Sequence, residues 1–188
     1  ALALMPGPNL VYLTGMHYHL SERPVLLILS VDDDPAVILP ELEAGKAEAE
    51  GFTTFAYSDA EGYLMAFHEA CVSLELAEAR VGVEALWMRF LESSTLRRFA
   101  PEIDLIPMDD LVAKLRVIKS DRELDAMRRA IAVAEDAFVR WVDVLDAGMT
   151  EKAAASLLTA ELLRGGADAL AFNPIVASGP NGGLPHAV

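Results

Sequence analysis

Residues 115–138 read LRVIKSDRELDAMRRAIAVAEDAF, and this stretch separates two parts of the chain that are organised differently. Ser120 and Glu123 fit a capping box, in which the serine side chain accepts from the third backbone amide and the glutamate reaches back to the serine amide. The apolar residues that follow recur at helical spacing and predict one long amphipathic helix; they are Leu124, Met127, Ile131, Ala134, Phe138, Trp141 and Leu145. A domain boundary is therefore predicted near residues 112–119, with one domain over residues 1–115 and another over residues 116–188.

Strand-like and helix-like segments alternate before this boundary. The runs with strand composition are residues 9–15 (NLVYLTG), 24–30, 36–40, 52–58, 80–85 and 103–108, and the helical patterns cover residues 41–51, 59–79 and 86–99. A buried sheet with helices on its faces is the arrangement that this order favours. The short connection between residues 24–30 and 36–40 predicts an antiparallel hairpin. We therefore expect an α/β fold with a mixed β-sheet flanked by helices.

After the boundary, the pattern predicts two helices and a strand. Gly148 is expected to end the long helix, and Thr150 to cap a second helix that continues to Leu163. Residues 169–179 (ALAFNPIVASG) then have the composition of a strand. This strand leads into a loop of Gly, Pro and Asn that contains His186, and histidine is the side chain that titrates near neutral pH.

The chain is strongly acidic, with a formal net charge of −14 and a pI near 4.6. Because a phosphate backbone or an anionic lipid surface needs a basic partner, we expect neither nucleic acid nor a membrane to bind. No apolar run approaches the roughly 20 residues that a spanning helix needs. The single cysteine, Cys71, fits a reducing compartment, so a cytoplasmic location is predicted. Residue 1 is not methionine and the first residues read as the middle of a strand, so we expect both ends to be cut from a longer chain.

Four segments of the chain resemble those of a known family. Residues 8–15 (PNLVYLTG) and 81–86 (VGVEAL) are similar to the creatinase-type N-terminal domain of the Xaa-Pro peptidases, the family of prolidase and aminopeptidase P. Residues 115–138, followed by GMTE at 148–151, are similar to the linker and first helix of its pita-bread catalytic domain. Residues 171–187 (AFNPIVASGPNGGLPHA) are similar to the strand and loop that bring a histidine to the active site. The resemblance implies an α/β N-terminal domain followed by the start of a pita-bread α+β domain.

The resemblance also implies an activity, which is hydrolysis of the bond before proline in short peptides with two divalent metal ions, manganese or cobalt. In this family the ligands are two Asp, one His and two Glu that follow the histidine loop, so the resemblance implies no metal and no hydrolysis for this chain alone. His186 matches the histidine that hydrogen-bonds the substrate and stabilises the tetrahedral intermediate. Phe172 matches a position that lines an apolar pocket, and an aromatic wall suits a proline ring. Family habit implies a homodimer.

Two other functions stay open. A creatinase-like amidinohydrolase shares the fold and uses no metal, and His186 would then be its general base. A non-catalytic pita-bread relative would instead bind basic peptides, and the acidic charge of this chain is compatible with that. The histidine loop favours the two enzymes over the binding module. The two enzymes differ further along the chain, where the peptidase has Asp, His and Glu as metal ligands and the creatinase-like enzyme has other residues in their place.

A pair of histidines near the N-terminus raises a second candidate site. His17 and His19 lie two residues apart, so that on a strand both would face one side. With Glu22 they could begin a zinc site, which is disfavoured because it still needs a further ligand and an enclosing shell. The alternative hypothesis is that residues 17–23 (HYHLSER) form a loop that reaches the active site of a neighbouring subunit.

Several other residues are interpreted as structural. His68 is expected to be a satisfied histidine on a helix, and Cys71 to be unreactive because no basic residue adjoins it. Trp87 and Trp141 are expected to lie in the core. Asp109 and Asp110 are expected to cap the helix that follows them.

Overall fold

A mixed sheet of six strands lies at the centre of the first of two units, Ala1–Val117, and the second unit begins at Ile118. The computed structural model describes residues 1–31 and 33–187. The strands are β1 (Leu2–Leu4), β2 (Leu26–Leu29), β3 (Ala36–Pro40), β4 (Thr53–Tyr57), β5 (Arg80–Val83) and β6 (Asp104–Pro107). The helices of this unit are α1 (Pro8–Thr14), α2 (Glu41–Ala49), α3 (Leu64–Ser73), α4 (Phe90–Phe99) and α5 (Asp109–Val117).

The sheet has the strand order β4-β3-β2-β1-β5-β6. β2 pairs antiparallel with both β1 and β3, whereas the pairs β3–β4, β1–β5 and β5–β6 are parallel. The predicted hairpin is confirmed, with Leu26 of β2 opposite Ile38 of β3. Helices cover the sheet, as parallel strands require. The predicted α/β fold with a mixed sheet flanked by helices is therefore confirmed.

The two faces of the sheet carry separate apolar cores, because successive side chains of a strand point to opposite faces. One core contains Phe67 of α3 and Leu96 of α4 together with Ile38 of β3. The other contains Leu10 of α1 and Val112 of α5 together with alternate residues of the same strands. All of β3 is buried, as expected for a strand that is covered on both faces.

Residues 8–14 form helix α1, so the predicted strand over residues 9–15 is wrong. Pro8 occupies the first helical position, where its fixed φ and missing N–H are tolerated. Gly15 ends the helix in the left-handed conformation, with φ 72°, and donates to the carbonyl of Val11. These two end signals and the burial of Leu10 against the sheet override the strand-like composition of the segment.

Three further details of the first unit differ from the sequence pattern. α3 is shorter than the helix predicted over residues 59–79 and is followed by a 3₁₀ turn at Leu76–Glu78. α4 begins after Trp87, which is 42% exposed, so its predicted place in the core is wrong. Asp109, the first residue of α5, bonds outside its own helix, because its carboxylate accepts from the amides of Ala85 and Leu86 at 2.9 and 3.3 Å. It thereby ties the end of β5 to α5.

The second unit contains the helices α6 (Asp121–Asp143) and α7 (Glu151–Arg164). The predicted capping box is present, because Ser120 accepts from the amide of Glu123 at 3.4 Å and its own amide donates to the Glu123 carboxylate at 2.7 Å. Thr150 caps α7 as predicted by accepting from the amide of Ala153 at 3.1 Å. The partly buried indole of Trp141 in α6 donates to the carbonyl of Ala154 in α7 at 2.8 Å, which joins the two helices.

Two predictions for this unit are wrong. α6 ends at Asp143, so Gly148, with φ 94°, lies in the turn beyond the helix and not next to its last residue. Residues 169–178 are irregular, where a strand was predicted. A strand needs a hydrogen-bonding neighbour, and residues 118–187 contain no other strand to provide one.

The apolar face of α6 that the sequence predicts is largely uncovered. Ile131 and Phe138 are 53% and 52% exposed, and Met127 is 49% exposed. The buried residue of the helix is Ala137. Within residues 1–31 and 33–187, no helix is long and apolar enough to cross a membrane.

Candidate active site in the second unit

His186 lies in a loop of residues 178–186, which we call the PH loop. The loop starts with a 3₁₀ turn, Gly179–Gly183, and Gly179 supplies the left-handed backbone at its first position with φ 53°. The amide of Asn181 donates to the carbonyl of Ser178 at 3.1 Å, and the amide of Leu184 donates to the carbonyl of Asn181 at 3.0 Å. Two consecutive turn bonds therefore hold the first half of the loop.

The backbone of His186 is also in the left-handed region, with φ 56°, and its side chain is exposed. This region is uncommon for residues other than glycine, although histidine is found there more often than most. Such a conformation costs of order 1–3 kcal/mol and is often found at functional sites. The exposed imidazole is thus presented by an unusual backbone conformation.

Glu151, the first residue of α7, holds the PH loop at its start. Its Oε1 accepts from the amide of Ser178 at 2.7 Å and from the Ser178 hydroxyl at 3.3 Å, and its Oε2 accepts from Nδ2 of Asn181 at 2.9 Å. The bonds from Ser178 and Asn181 hold the pKa of the Glu151 carboxyl below its usual range. Sequence reasoning assigned no role to this residue within the GMTE segment, because its partners lie 27 and 30 residues away.

Phe172 lines an apolar groove of about 810 Å³ formed by α6, α7 and residues 166–174. Its walls include Ala130, Phe138, Leu158, Leu162 and Pro174. Phe172 itself is 78% exposed, so it forms a rim of the groove. Among the residues that the structure describes, no hydrogen bond or ring contact joins Phe172 to His186. The structure therefore does not bring the two predicted site residues into direct contact.

A charged cluster fixes α6 and α7 to each other. Glu161 of α7 is 8% exposed, and its Oε2 accepts from Nε of Arg140 of α6 at 2.9 Å. Its other carboxylate oxygen accepts from Arg164, and Arg140 also donates to the Glu161 carbonyl at 3.3 Å. A buried carboxylate needs such pairing. The cluster therefore stabilises the packing of α6 against α7, the two helices that line the groove.

His17 and His19 do not lie on a strand, so the argument that both face one side is wrong. Residues 15–20 are irregular, and both imidazoles are exposed. In the described part of the chain, no group of three or more His, Cys, Asp or Glu is placed to hold a metal ion. The hypothesis that residues 17–23 reach a neighbouring subunit stays a prediction.

The segment that follows these histidines bonds to two other parts of the first unit, Arg89 at the N-terminus of α4 and the loop after β4. Arg89 donates to the carbonyl of Ser21, and the guanidinium of Arg23 makes two bonds to the Asp59 carboxylate at 2.8 and 2.6 Å. This bidentate pairing holds the pKa of Asp59 below its usual range. The loop is therefore a fixed feature of the surface of this unit.

Cys71 and His68 lie on α3. Cys71 is 3% exposed, and burial raises the pKa of its thiol to about 11, which keeps it protonated and unreactive at neutral pH. The ring of His68 lies 5.2 Å from the ring of Phe99 of α4, measured between centroids. Cys71 thus has the surroundings of a structural side chain, whereas His68 is exposed and makes this ring contact.

Comparison with known proteins adds to this geometry. Residues 1–118 match the family Creatinase/Prolidase N-terminal domain, and residues 125–188 match Metallopeptidase family M24. The chain is 30% identical to the probable dipeptidase PepE of Mycobacterium bovis, over 98% of this chain and 49% of that protein. It is 26% identical to an Xaa-Pro dipeptidase of Pyrococcus horikoshii, over 100% of this chain and 50% of that protein.

A solved structure gives the same result. The recombinant prolidase from Thermococcus sibiricus superimposes with a TM-score of 0.90 at 27% identity, covering 98% of this chain and 51% of that chain. The sheet-centred first unit is thus a domain of the creatinase/prolidase N-terminal type. The chain belongs to the Xaa-Pro peptidase family, with its creatinase/prolidase N-terminal domain at residues 1–118. It spans about half the length of the curated relatives that it matches.

Proposed function

We propose that this chain is part of a metal-dependent peptidase, an Xaa-Pro dipeptidase or aminopeptidase, that hydrolyses the bond before proline in short peptides. The observation that carries the proposal is the match over 98% of the chain to a prolidase at a TM-score of 0.90. The dipeptidase names of two curated relatives support the same reaction class. Because the chain spans about half the length of these relatives, the activity is proposed for a protein of their full length.

His186 is the residue that we assign to the chemical step. Its imidazole is proposed to donate an N–H to the carbonyl oxygen before proline, where negative charge develops as the bond is attacked. Such a donor acts mainly in the transition state, and removing one typically lowers kcat by about 10²–10³-fold. The exposure of the ring on the PH loop supports this role, because a peptide can approach it.

Phe172 is assigned to substrate binding. A proline ring offers no hydrogen-bond donor, so an apolar wall recognises it by burial of its surface. The groove on whose rim Phe172 lies has apolar walls, which supports this role.

The metal ions are proposed for the full-length protein only. The match of residues 125–188 to a metallopeptidase family supports the use of divalent ions. The residues present do not fit such an ion, because no suitable cluster of ligands occurs in residues 1–31 and 33–187. We therefore assign no ligand within this chain and keep manganese or cobalt as the proposed ions.

The test is an assay of the full-length protein on Ala-Pro and on Ala-Ala, with manganese and then with a chelator. We expect cleavage of Ala-Pro that the chelator abolishes and that His186→Ala lowers by about 10²–10³-fold in kcat. Phe172→Ala is expected to raise KM more than it lowers kcat, because it removes binding surface. His68→Ala, which changes an exposed histidine of the first unit, is the matched control and should leave both constants unchanged.

Three results would contradict the proposal. Equal cleavage of Ala-Pro and Ala-Ala would remove the specificity for proline. Hydrolysis of creatine that resists the chelator would favour the creatinase-like amidinohydrolase, with His186 as its base. Tight binding of basic peptides without any hydrolysis would favour the binding module.

A further inference from the structure

We propose that Glu151 is a positioning residue, which fixes the start of the PH loop against the first turn of α7 and so sets the place of His186. This inference rests on the proposed function, because it takes the PH loop to carry a group that acts on substrate. Glu151 itself is not assigned any contact with the substrate.

Both carboxylate oxygens of Glu151 accept hydrogen bonds from the PH loop. Oε1 accepts from the amide and hydroxyl of Ser178 at 2.7 and 3.3 Å, and Oε2 accepts from the side chain of Asn181 at 2.9 Å. Hydrogen bonds to an ionised carboxylate are stronger than those between neutral groups. One side chain therefore fixes two points of the loop that lie three residues apart.

Glu151 is not needed to cap α7. The side chain of Thr150 already fills that role by accepting from the amide of Ala153 at 3.1 Å. A carboxylate in the first turn also interacts favourably with the helix dipole, which is a general effect of its position. Asp121 occupies the same first position in α6 and provides a comparison for this effect. What distinguishes Glu151 is its set of bonds to residues 178–181.

Two backbone hydrogen bonds connect the anchored start of the loop to the part that precedes His186. The amide of Asn181 donates to the carbonyl of Ser178, and the amide of Leu184 donates to the carbonyl of Asn181. His186 follows two residues after Leu184, with its backbone set in the left-handed region. Three glycines in the loop would give it many conformations if it were released, since glycine loses more conformational freedom on ordering than other residues.

The experiment uses the full-length protein and measures loop order and kinetics separately. Amide hydrogen exchange of residues 178–186 is compared in the natural protein and in Glu151→Ala, Glu151→Gln and Asp121→Ala. We expect Glu151→Ala to accelerate exchange at Ser178 by about tenfold, the size expected for loss of a hydrogen bond to a charged group, and Asp121→Ala to leave it unchanged. Glu151→Gln keeps an acceptor for Ser178 and should give an intermediate rate.

The kinetic readout is the hydrolysis of Ala-Pro. We expect Glu151→Ala to lower kcat by about tenfold with a smaller change in KM, because a displaced His186 weakens transition-state stabilisation more than binding. Glu151→Gln should recover part of the loss. Asn181→Ala removes the partner of Oε2 without changing α7, so it tests the proposal if Glu151→Ala fails to fold, and it should change exchange and kcat in the same direction by a smaller factor.

The outcomes separate the two proposals. Exchange and kcat of Glu151→Ala equal to those of Asp121→Ala would overturn the positioning role. Faster exchange with an unchanged kcat would overturn it as well, because the loop would then be free to move without effect on the reaction. A natural protein that does not cleave Ala-Pro, but whose loop exchange responds to Glu151→Ala, would contradict the proposed function and support the anchoring of the loop.

Discussion

Glu92 in α4 has no exposed surface, and its carboxylate is paired with Arg89. The guanidinium of Arg89 donates to both of its oxygens, through Nε at 3.0 and 3.1 Å and through a further bond to Oε1. The bonds to Glu92 raise the pKa of Arg89, which therefore stays charged. Arg89 also donates to the carbonyl of Ser21, so the pair joins α4 to the loop that precedes β2.

Replacement of Arg89 by methionine is expected to destabilise the first unit by about 3 kcal/mol, because it leaves the Glu92 carboxylate buried without its partner. This value is at the low end of the range for removing one partner of a buried ion pair, because the Arg89 side chain is 30% exposed. The free energy of unfolding in urea measures the effect. The double variant Arg89→Met and Glu92→Leu should regain much of this loss.

A matched control comes from an ion pair with the same spacing on α6. Arg128 and Asp125 are also three residues apart and bond at 2.8 Å, but their side chains are 70% and 61% exposed. Asp125→Asn is expected to change stability by less than about 0.5 kcal/mol. Equal costs for the two pairs would mean that burial does not determine the stabilisation by Glu92.

The N-terminal cap of α7 allows a prediction about the stability of this helix. Thr150→Ala removes the side chain that accepts from the amide of Ala153, and we expect a loss of about 1 kcal/mol. Ser156→Ala on the same helix is the control, because Ser156 is exposed and alanine is the better helix former there. It should leave stability unchanged or raise it slightly. Urea unfolding followed by circular dichroism measures both, and similar losses in the two variants would contradict the capping role.

The sequence predicted elements best where their signals are local. The capping box of Ser120, the cap of Thr150 and the hairpin of β2 and β3 all depend on residues that are close in the chain, and all are confirmed. The β-rich composition of residues 9–13 predicts a strand, but Pro8 and Gly15, which mark the two ends of α1, are the signals that agree with the structure. Residues 169–178 have strand composition, but strand formation depends on a neighbour that local sequence does not supply.

In the candidate site, too, the local motifs could be predicted from the sequence and the contact between distant residues could not. His186 and Phe172 were proposed from a resemblance that depends on their local motifs, and their roles stay predictions. The anchoring of the PH loop by Glu151 could not be predicted, because it depends on a contact between residues 27 positions apart. A carboxylate next to a capping threonine was the available signal, and it is too common to indicate a partner.

At the scale of the whole molecule, the two units differ in how completely they bury apolar surface. The sheet of the first unit is covered on both faces, whereas Ile131 and Phe138 of α6 are about half exposed. Ile131→Ser is therefore expected to lower stability by less than about 1 kcal/mol while it weakens binding of an apolar fluorescent dye to the 188-residue chain. Dye fluorescence and urea unfolding measure the two effects.

The control for this prediction is Leu86→Ser. Leu86 is 87% exposed in the first unit, outside the apolar face of α6, and its replacement should leave dye binding unchanged. A loss of several kcal/mol in Ile131→Ser would contradict the exposure of this face, because it would indicate that Ile131 is buried.

The order of the two units along the chain has a consequence for biosynthesis. A ribosome releases residues 1–117 before α6 and α7, and these residues include all six strands and both apolar cores. Domains generally fold as units during synthesis, the N-terminal one first. The sheet can therefore reach its native state on the ribosome while α6 and α7 are still being made.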